Sequence, residues 1–315
     1  MAARACFSIN TMVPFQEIFI GFRCNLQCRD CAARATGVVA RSKSEIIAAM
    51  SAFREPREGV LFSGGEPLIR SDIIELVQAA RELGFPRIRL RTNGTALADP
   101  RLLHHLLGAG CHHFEIKLFA AEPRLHDRIT GVSGSLEQTW AGMGLLRHAV
   151  IPGRTDQQPF LGILIPLRED NVANLSETIL TLVALRPDRV VLSWEITRDS
   201  PSRALPTIRN TVNLALLNRT WILTENLPLC LMKDLEVHVG ELYLPPRLPH
   251  EHVAQCRRCV YGEFCPGIPA RSLKTRFSQE IKPLSTSIHL EAIRSLVSGK
   301  RASREDGYKA DAKGR

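Results

Sequence analysis

Nine cysteines, bunched in two places, constrain this chain more than any other feature. Cys24, Cys28 and Cys31 fall within eight residues, spaced Cys24-x3-Cys28-x2-Cys31. Cys256, Cys259 and Cys265 fall within ten, and Cys230 precedes them. The chain begins MAARACFSINTMVPFQ, without the continuous apolar stretch of a secretory signal. An odd count without such a signal argues against a disulfide framework. It points instead to metal-binding thiolates in a reducing compartment, the cytoplasm. Cys6 and Cys111 stand alone and read as small buried hydrophobes.

Three thiolates in one tight loop can hold three irons of a [4Fe–4S] cluster. The fourth iron then keeps a position for a small molecule, and an open iron can do chemistry that a fully ligated cluster cannot. Zinc is the alternative. It asks for four ligands, and no fourth sulfur or imidazole lies close in sequence; only Asp30 is adjacent.

The rest of the chain alternates strand and helix patterns. Strands are expected at 17–22, 59–62, 87–91, 113–119, 160–165 and 189–194, where apolar residues run together or alternate. Helical spacing recurs over 43–53, 71–84, 99–108, 135–149, 174–186 and 205–221. Ser71 and Asp99 stand where caps belong, and Asn174-Leu-Ser-Glu177 has the form of a capping box. Six strand–helix units in series predict an α/β fold, a parallel sheet wrapped by helices. Six falls short of the eight that close a barrel, so an open, partial (β/α)6 barrel is expected over 15–222. Residues 1–14 form a short lead. Residues 223–285 read as a small, loop-rich, cysteine-bearing extension. Residues 286–299 read as one helix, followed by a polar, disordered tail to 315.

Composition adds exclusions. Hydrophobic residues make up 44% and charged residues 23%, as in ordinary globular chains. No run of about 18 apolar residues occurs, so no bilayer span is expected. Lys+Arg 41 against Asp+Glu 32 leaves +9, spread along the chain. That is a faint pull toward an anionic partner and does not by itself indicate nucleic acid.

Position sharpens the first cysteine group. In parallel α/β barrels the chemistry sits beyond the C-terminal ends of the strands. The cysteine triplet follows the first strand, Ser63-Gly64-Gly65-Glu66-Pro67 the second, and Thr92-Asn93-Gly94 the third. Three unusual loops are thus expected on one rim. Cys24-x3-Cys28-x2-Cys31 followed by Gly64-Gly65-Glu66-Pro67 resembles the radical S-adenosylmethionine (radical SAM) superfamily.

The resemblance implies a partial (β/α)6 barrel and an enzyme. Cys24, Cys28 and Cys31 would hold a [4Fe–4S] cluster whose open iron chelates the amino and carboxylate groups of S-adenosylmethionine. An electron, delivered by a reductant such as flavodoxin or ferredoxin, would split the C5′–S bond. The resulting 5′-deoxyadenosyl radical would abstract hydrogen from an unreactive carbon. Gly64, Gly65 and Glu66 would contact the methionine amino group, and Pro67 would fix the exit of that loop. Thr92 and Asn93 would share the cofactor rim. The residue before the third cysteine, often aromatic in the family and set against the adenine, is Asp30 here.

Strand alternation adds a second argument. Phe114, Ile116 and Leu118 share one face of the fourth strand and should meet the helices. Glu115 and Lys117 then point into the barrel, as Arg89 and Arg91 do from the third strand. A charged lumen predicts a solvated or ligand-filled cavity. By resemblance Lys117 would meet the cofactor carboxylate; an ion pair with Glu115 is the alternative. Ser193 and Glu195 are placed to face a substrate. His126-Asp127 recurs in branches of the family, although a structural histidine is the plainer reading.

The second cysteine group, with Cys230 as fourth thiolate, resembles the twitch or SPASM extension of many radical SAM enzymes. That implies a second, auxiliary [4Fe–4S] cluster, in the one-cluster twitch form that this cysteine count fits. A four-thiolate zinc site is the alternative. Relatives carrying the extension modify peptides and proteins or convert small metabolites, so the expected substrate is a peptide or a small metabolite. About 16 residues precede the first strand, so a peptide substrate would call for a separate recognition protein or a leader-independent mode. A nucleotide- or RNA-directed enzyme and a non-catalytic iron–sulfur or zinc protein are the other readings.

Overall fold

The computed structural model describes residues 15–31, 40–53, 59–153, 157–195, 201–244, 246 and 249–297. The lead, Cys6 and the tail lie outside these residues. Seven short strands carry the fold: β1 (Phe15–Phe19), β2 (Gly59–Ser63), β3 (Ile88–Thr92), β4 (His113–Lys117), β5 (Phe160–Leu167), β6 (Arg189–Trp194) and β7 (Ile222–Glu225). Their order in space is their order in sequence, and every pairing is parallel. Parallel neighbours need crossovers, and helices supply them. These are α1 (Lys43–Ser51), α2 (Ile73–Glu82), α3 (Pro100–Ala109), α4 (Pro123–Thr130), α5 (Ser135–His148), α6 (Leu175–Val183) and α7 (Leu205–Leu217). The sheet is an open half-barrel. Strands β2 and β3 are buried along their whole length, as parallel strands covered on both faces must be.

Local chemistry sets most element ends. Asp99 caps α3 by accepting the Arg101 N–H at 2.8 Å, Pro100 opens it, and Gly110 closes it in the left-handed region. Leu103, Leu106 and Leu107 form its buried face. Two expected caps differ. Asp72, not Ser71, precedes α2, and its carboxylate is held by Arg70 instead of the helix. Asn174 makes no side-chain cap bond to α6.

Two elements of the half-barrel were not expected. Helix α4 is short and polar, with Leu125 and Ile129 as its buried apolar pair. Glu122 caps it through the Arg124 and Leu125 N–H groups. Strand β7 begins at residue 222, where the expected barrel ends, and adds a seventh strand to the six expected, pairing Val190 with Ile222. Four residues carry too little periodicity to announce a strand; its partner β6 supplies the ladder.

The concave face shows what the charged strand positions do. Phe114, Ile116 and Leu118 lie in the main apolar core against the helices. Opposite them, Arg91, Glu115, Gly162 and Arg189 are consecutive register partners across β3, β4, β5 and β6. Glycine at 162 leaves the gap through which Arg189 reaches Glu115. Glu115 accepts from Arg91 Nε at 2.6 Å and Arg189 Nη2 at 3.4 Å, and Arg89 Nη1 stands 3.7 Å away. The Arg89 guanidinium lies 3.8 Å from the Phe15 ring centroid. These arginines and Glu115 are all buried. The charges therefore form a buried ion-pair layer across the lumen at this level, in place of the expected solvated or ligand-filled cavity.

After β7 the chain makes short turns, a two-stranded hairpin of β8 (His250–Glu251) and β9 (Ile268–Pro269), helix α8 (Arg276–Gln279) and helical residues 290–297. Leu229, Met232, Tyr261, Phe277 and Ile293 join the same apolar core as the sheet. Among the described residues no helix is long and apolar enough to cross a membrane.

Candidate cofactor site and a second cysteine pocket

Beyond the C-terminal end of β1 the chain enters the loop that carries Cys24, Cys28 and Cys31. The loop after β2 holds it by backbone. Gly65 N–H donates to the Gly21 carbonyl at 2.7 Å, and Glu66 N–H to the Arg23 carbonyl at 2.8 Å. A Cβ on Gly65 would stand 2.2 Å from the Arg23 oxygen; one on Gly64, where φ is 132°, would stand 2.4 Å from the Gly21 oxygen. Both glycines thus admit the cysteine loop itself. On the far side, Gln27 N–H donates to the Thr130 carbonyl at 2.8 Å, at the C-terminal end of α4.

Glu66 is buried and joins the second loop to the third. Its carboxylate accepts from Leu68 N–H at 2.9 Å, Thr92 Oγ1 at 2.6 Å and Asn93 N–H at 2.7 Å. Burial pushes its pKa up, against the pull of these donors. A carboxylate offers about four acceptor positions, so three internal bonds leave room for about one more donor, such as a ligand ammonium. Pro67 opens the short turn that follows, which Glu66 caps.

The three thiols are neighbours. Burial pushes Cys28 up to about 11, reinforced by the fields of Cys24 and Cys31. Cys24 is also raised, mainly by burial, although Leu26 N–H at 3.4 Å and Asn93 Nδ2 at 3.9 Å both donate to its sulfur. Cys28 packs against Phe119, Ala120, Leu125 and Ile129. Thiols crowded and desolvated in this way ionise most readily when a cation takes the protons' place, so the donor set fits a metal group.

Lys117 ends β4 beside this loop. Its charge acts on both Cys28 and Glu66. Among the described residues its ammonium makes no hydrogen bond or ion pair, and the Glu115 carboxylate faces arginines instead. The alternative pairing with Glu115 is thus not formed. Asp30 forms an ion pair with Arg168, which follows β5 and also reaches Asp170 at 3.4 Å. No sequence signal pointed to Arg168.

Other candidates are placed plainly. His126 is buried, with Nδ1 3.4 Å from the Phe119 N–H, and burial pulls its pKa down to about 4. Asp127 accepts from Gly134 N–H, Ser135 Oγ and Leu136 N–H, tying down the start of α5. Both side chains thus bond to neighbouring backbone within the fold. Ser193 is buried and accepts from Asn226 Nδ2 at 3.3 Å, and Glu195 is exposed just past β6. Cys111 is fully buried, as a small hydrophobe should be.

Cys230, Cys256, Cys259 and Cys265 line one pocket, with His252 and Ile281. Burial and the fields of the other three push Cys230 up to about 12. Cys265 rises to about 11, chiefly by burial, and its sulfur accepts the Gly267 N–H at 3.5 Å. Among the described residues no three His, Cys, Asp or Glu side chains converge as the ligand set of a single ion.

Comparisons with known proteins place the chain in a family. The radical SAM superfamily model matches residues 18–181. An AdoMet-dependent heme synthase of Methanosarcina barkeri (strain Fusaro / DSM 804) is 32% identical over 135 residues, 41% of this chain and 38% of that protein. A PqqA peptide cyclase of Rhizobium meliloti (strain 1021) is 30% identical over 172 residues, 53% and 43% of the two chains. The matches thus span less than half the length of these curated relatives. Hexahistidine-tagged anSMEcpe with bound AdoMet has the same fold, with a TM-score of 0.56 at 12% identity, over 94% of this chain and 96% of that one. With more than half its length matched by the family model, this chain belongs to the radical SAM superfamily, enzymes that use a [4Fe–4S] cluster and S-adenosylmethionine.

Proposed function

We propose that Cys24, Cys28 and Cys31 hold the [4Fe–4S] cluster, and that the enzyme abstracts hydrogen from a peptide or small-metabolite substrate. The observation that carries this reading is the crowding of three thiols in one loop, locked to two neighbouring loops at the C-terminal rim of the half-barrel. When bound, cluster and S-adenosylmethionine supply the 5′-deoxyadenosyl radical. The chain's own residues bind and orient. Glu66 keeps an acceptor position for the methionine ammonium, beside Gly64, Gly65 and Pro67. Lys117 offers its ammonium to the methionine carboxylate, and Thr92 and Asn93 stiffen the rim. The apolar residues behind Cys28 keep water from that side. A flavodoxin or ferredoxin supplies the electron, in the reducing cytoplasm that the cysteine usage favours.

A peptide substrate draws support from the PqqA peptide cyclase relative; the heme synthase relative supports a small molecule. Residues 223–285 form a twitch-like extension in which Cys230, Cys256, Cys259 and Cys265 hold a second [4Fe–4S] cluster. Four sulfurs set around a pocket suit irons spread over a cluster better than one zinc ion. Residues 286–315 add a helix and tail.

Anaerobic reconstitution and metal counting test both sites. About eight irons per chain are expected, since each cluster holds four. About four irons with one zinc would remove the auxiliary cluster. Dithionite and S-adenosylmethionine should yield 5′-deoxyadenosine, and Cys28→Ala should abolish it. No product from fully loaded, unaltered protein would overturn the enzyme reading.

A further inference from the structure

Asn93 sits on the cofactor rim, yet its side chain turns to a cysteine. The orientation of its amide follows from donors that cannot be reversed. Thr95 N–H donates to Asn93 Oδ1 at 3.0 Å, and a backbone N–H has no acceptor role. Thr95 Oγ1 donates to the same oxygen at 2.8 Å and accepts from Asn25 Nδ2 at 2.8 Å. Asn93 Nδ2 therefore faces Asn25 Oδ1 at 2.8 Å and the Cys24 sulfur at 3.9 Å. Glu66 holds the Asn93 backbone N–H at 2.7 Å, so the loops after β2 and β3 together aim this donor. Cys24 is the thiol given polar company, while Cys28 lies against apolar side chains.

We infer that Asn93 is a positioning residue that donates a hydrogen bond to the Cys24 thiolate and so raises the reduction potential of the cluster bound there. Donors to cluster sulfurs draw charge from the irons and make the added electron easier to accept. A thiolate accepts more strongly than a thiol, so the 3.9 Å contact tightens once the sulfur is ionised. This inference rests on the proposed ligand role of Cys24.

The circuit predicts shifts of opposite sign. Asn93→Leu keeps the volume and removes the donor; the one-electron reduction equilibrium should fall about tenfold, 59 mV. Asn25→Ala removes the oxygen that competes for Nδ2, and should move the potential upward. Both are read by redox titration of the full, anaerobically reconstituted chain, following by electron paramagnetic resonance the cluster whose signal changes when S-adenosylmethionine is added. An unmoved potential in Asn93→Leu at full iron content overturns the inference. A fall in Asn25→Ala also overturns it, because that is general loosening. If Asn93→Leu fails to load iron, the sign in Asn25→Ala decides alone: a rise supports the inference and no change overturns it. Absence of any S-adenosylmethionine-responsive cluster in the unaltered protein is a different failure. It removes the ligand reading itself, and this inference with it.

Discussion

Replacing Glu115 by glutamine should destabilise the fold by about 3–5 kcal/mol, the usual result of removing one partner from a buried ion pair. The carboxylate accepts from Arg91 Nε at 2.6 Å and Arg189 Nη2 at 3.4 Å, and Arg89 Nη1 is 3.7 Å away. Three guanidiniums therefore share it, and Arg91 also reaches the half-exposed Glu17 at 2.6 Å. Glutamine keeps the shape and leaves the cations facing one another behind protein, where salt screens poorly. Unfolding entropy is about 2.1 cal/mol/K per residue. Over 315 residues that gives about 0.66 kcal/mol per degree, so the loss should lower Tm by about 5–8 °C. Thermal unfolding of the metal-free protein at low and high salt is the assay. A second substitution, Arg189→Met, should recover part of the loss in the Glu115→Gln background by removing one unbalanced cation. A fall below about 1 kcal/mol, or additive effects of the two substitutions, would refute the claim that the layer is mutually dependent.

Three further outcomes follow from the site. His126 has its pKa held near 4 by burial, below the ordinary 6.5, so its neutral form is favoured in the fold. Stability from this group is complete above about pH 6.5 and is lost as pH falls toward 4, by about 3 kcal/mol in all; His126→Gln should flatten denaturation midpoints across that window, and an unchanged slope would count against it. Lys117→Met should weaken S-adenosylmethionine binding about 10- to 150-fold, the worth of a charged hydrogen bond of about 1.5–3 kcal/mol, and equilibrium dialysis with the reconstituted protein would expose an unaffected Kd. Gly65→Ala places a Cβ 2.2 Å from the Arg23 carbonyl oxygen. The cysteine loop should separate and about four irons be lost, with the C-terminal site still loaded; normal iron content would show that the loops can part without consequence.

Six of the seven strands were legible because each announces itself locally. The apolar run of 59–63, the alternation of 113–117 and the caps of α3 need no knowledge of the rest of the chain. The cysteine spacing and the Gly-Gly-Glu-Pro loop were equally legible, since each is a short stretch whose chemistry lies in its own residues. Strand β7 and helix α4 were not. One has four residues paired to β6, and the other buries two apolar side chains against the cysteine loop, so both exist by tertiary contact.

Sequence alone thus determined six of the seven strands, the two thiol groups and the rim on which the first of them sits. Tertiary structure decided which side chains meet. It assigned the lumenal charges to an ion-pair layer, bound Glu66 to the Asn93 loop, joined Asp30 to Arg168 and gathered Cys230 with three cysteines more than 20 residues away. The physical reason is range. Propensity, capping and ligand spacing act over a few residues, whereas hydrogen bonds and ion pairs between loops depend on sheet register and on burial, which the whole fold sets at once.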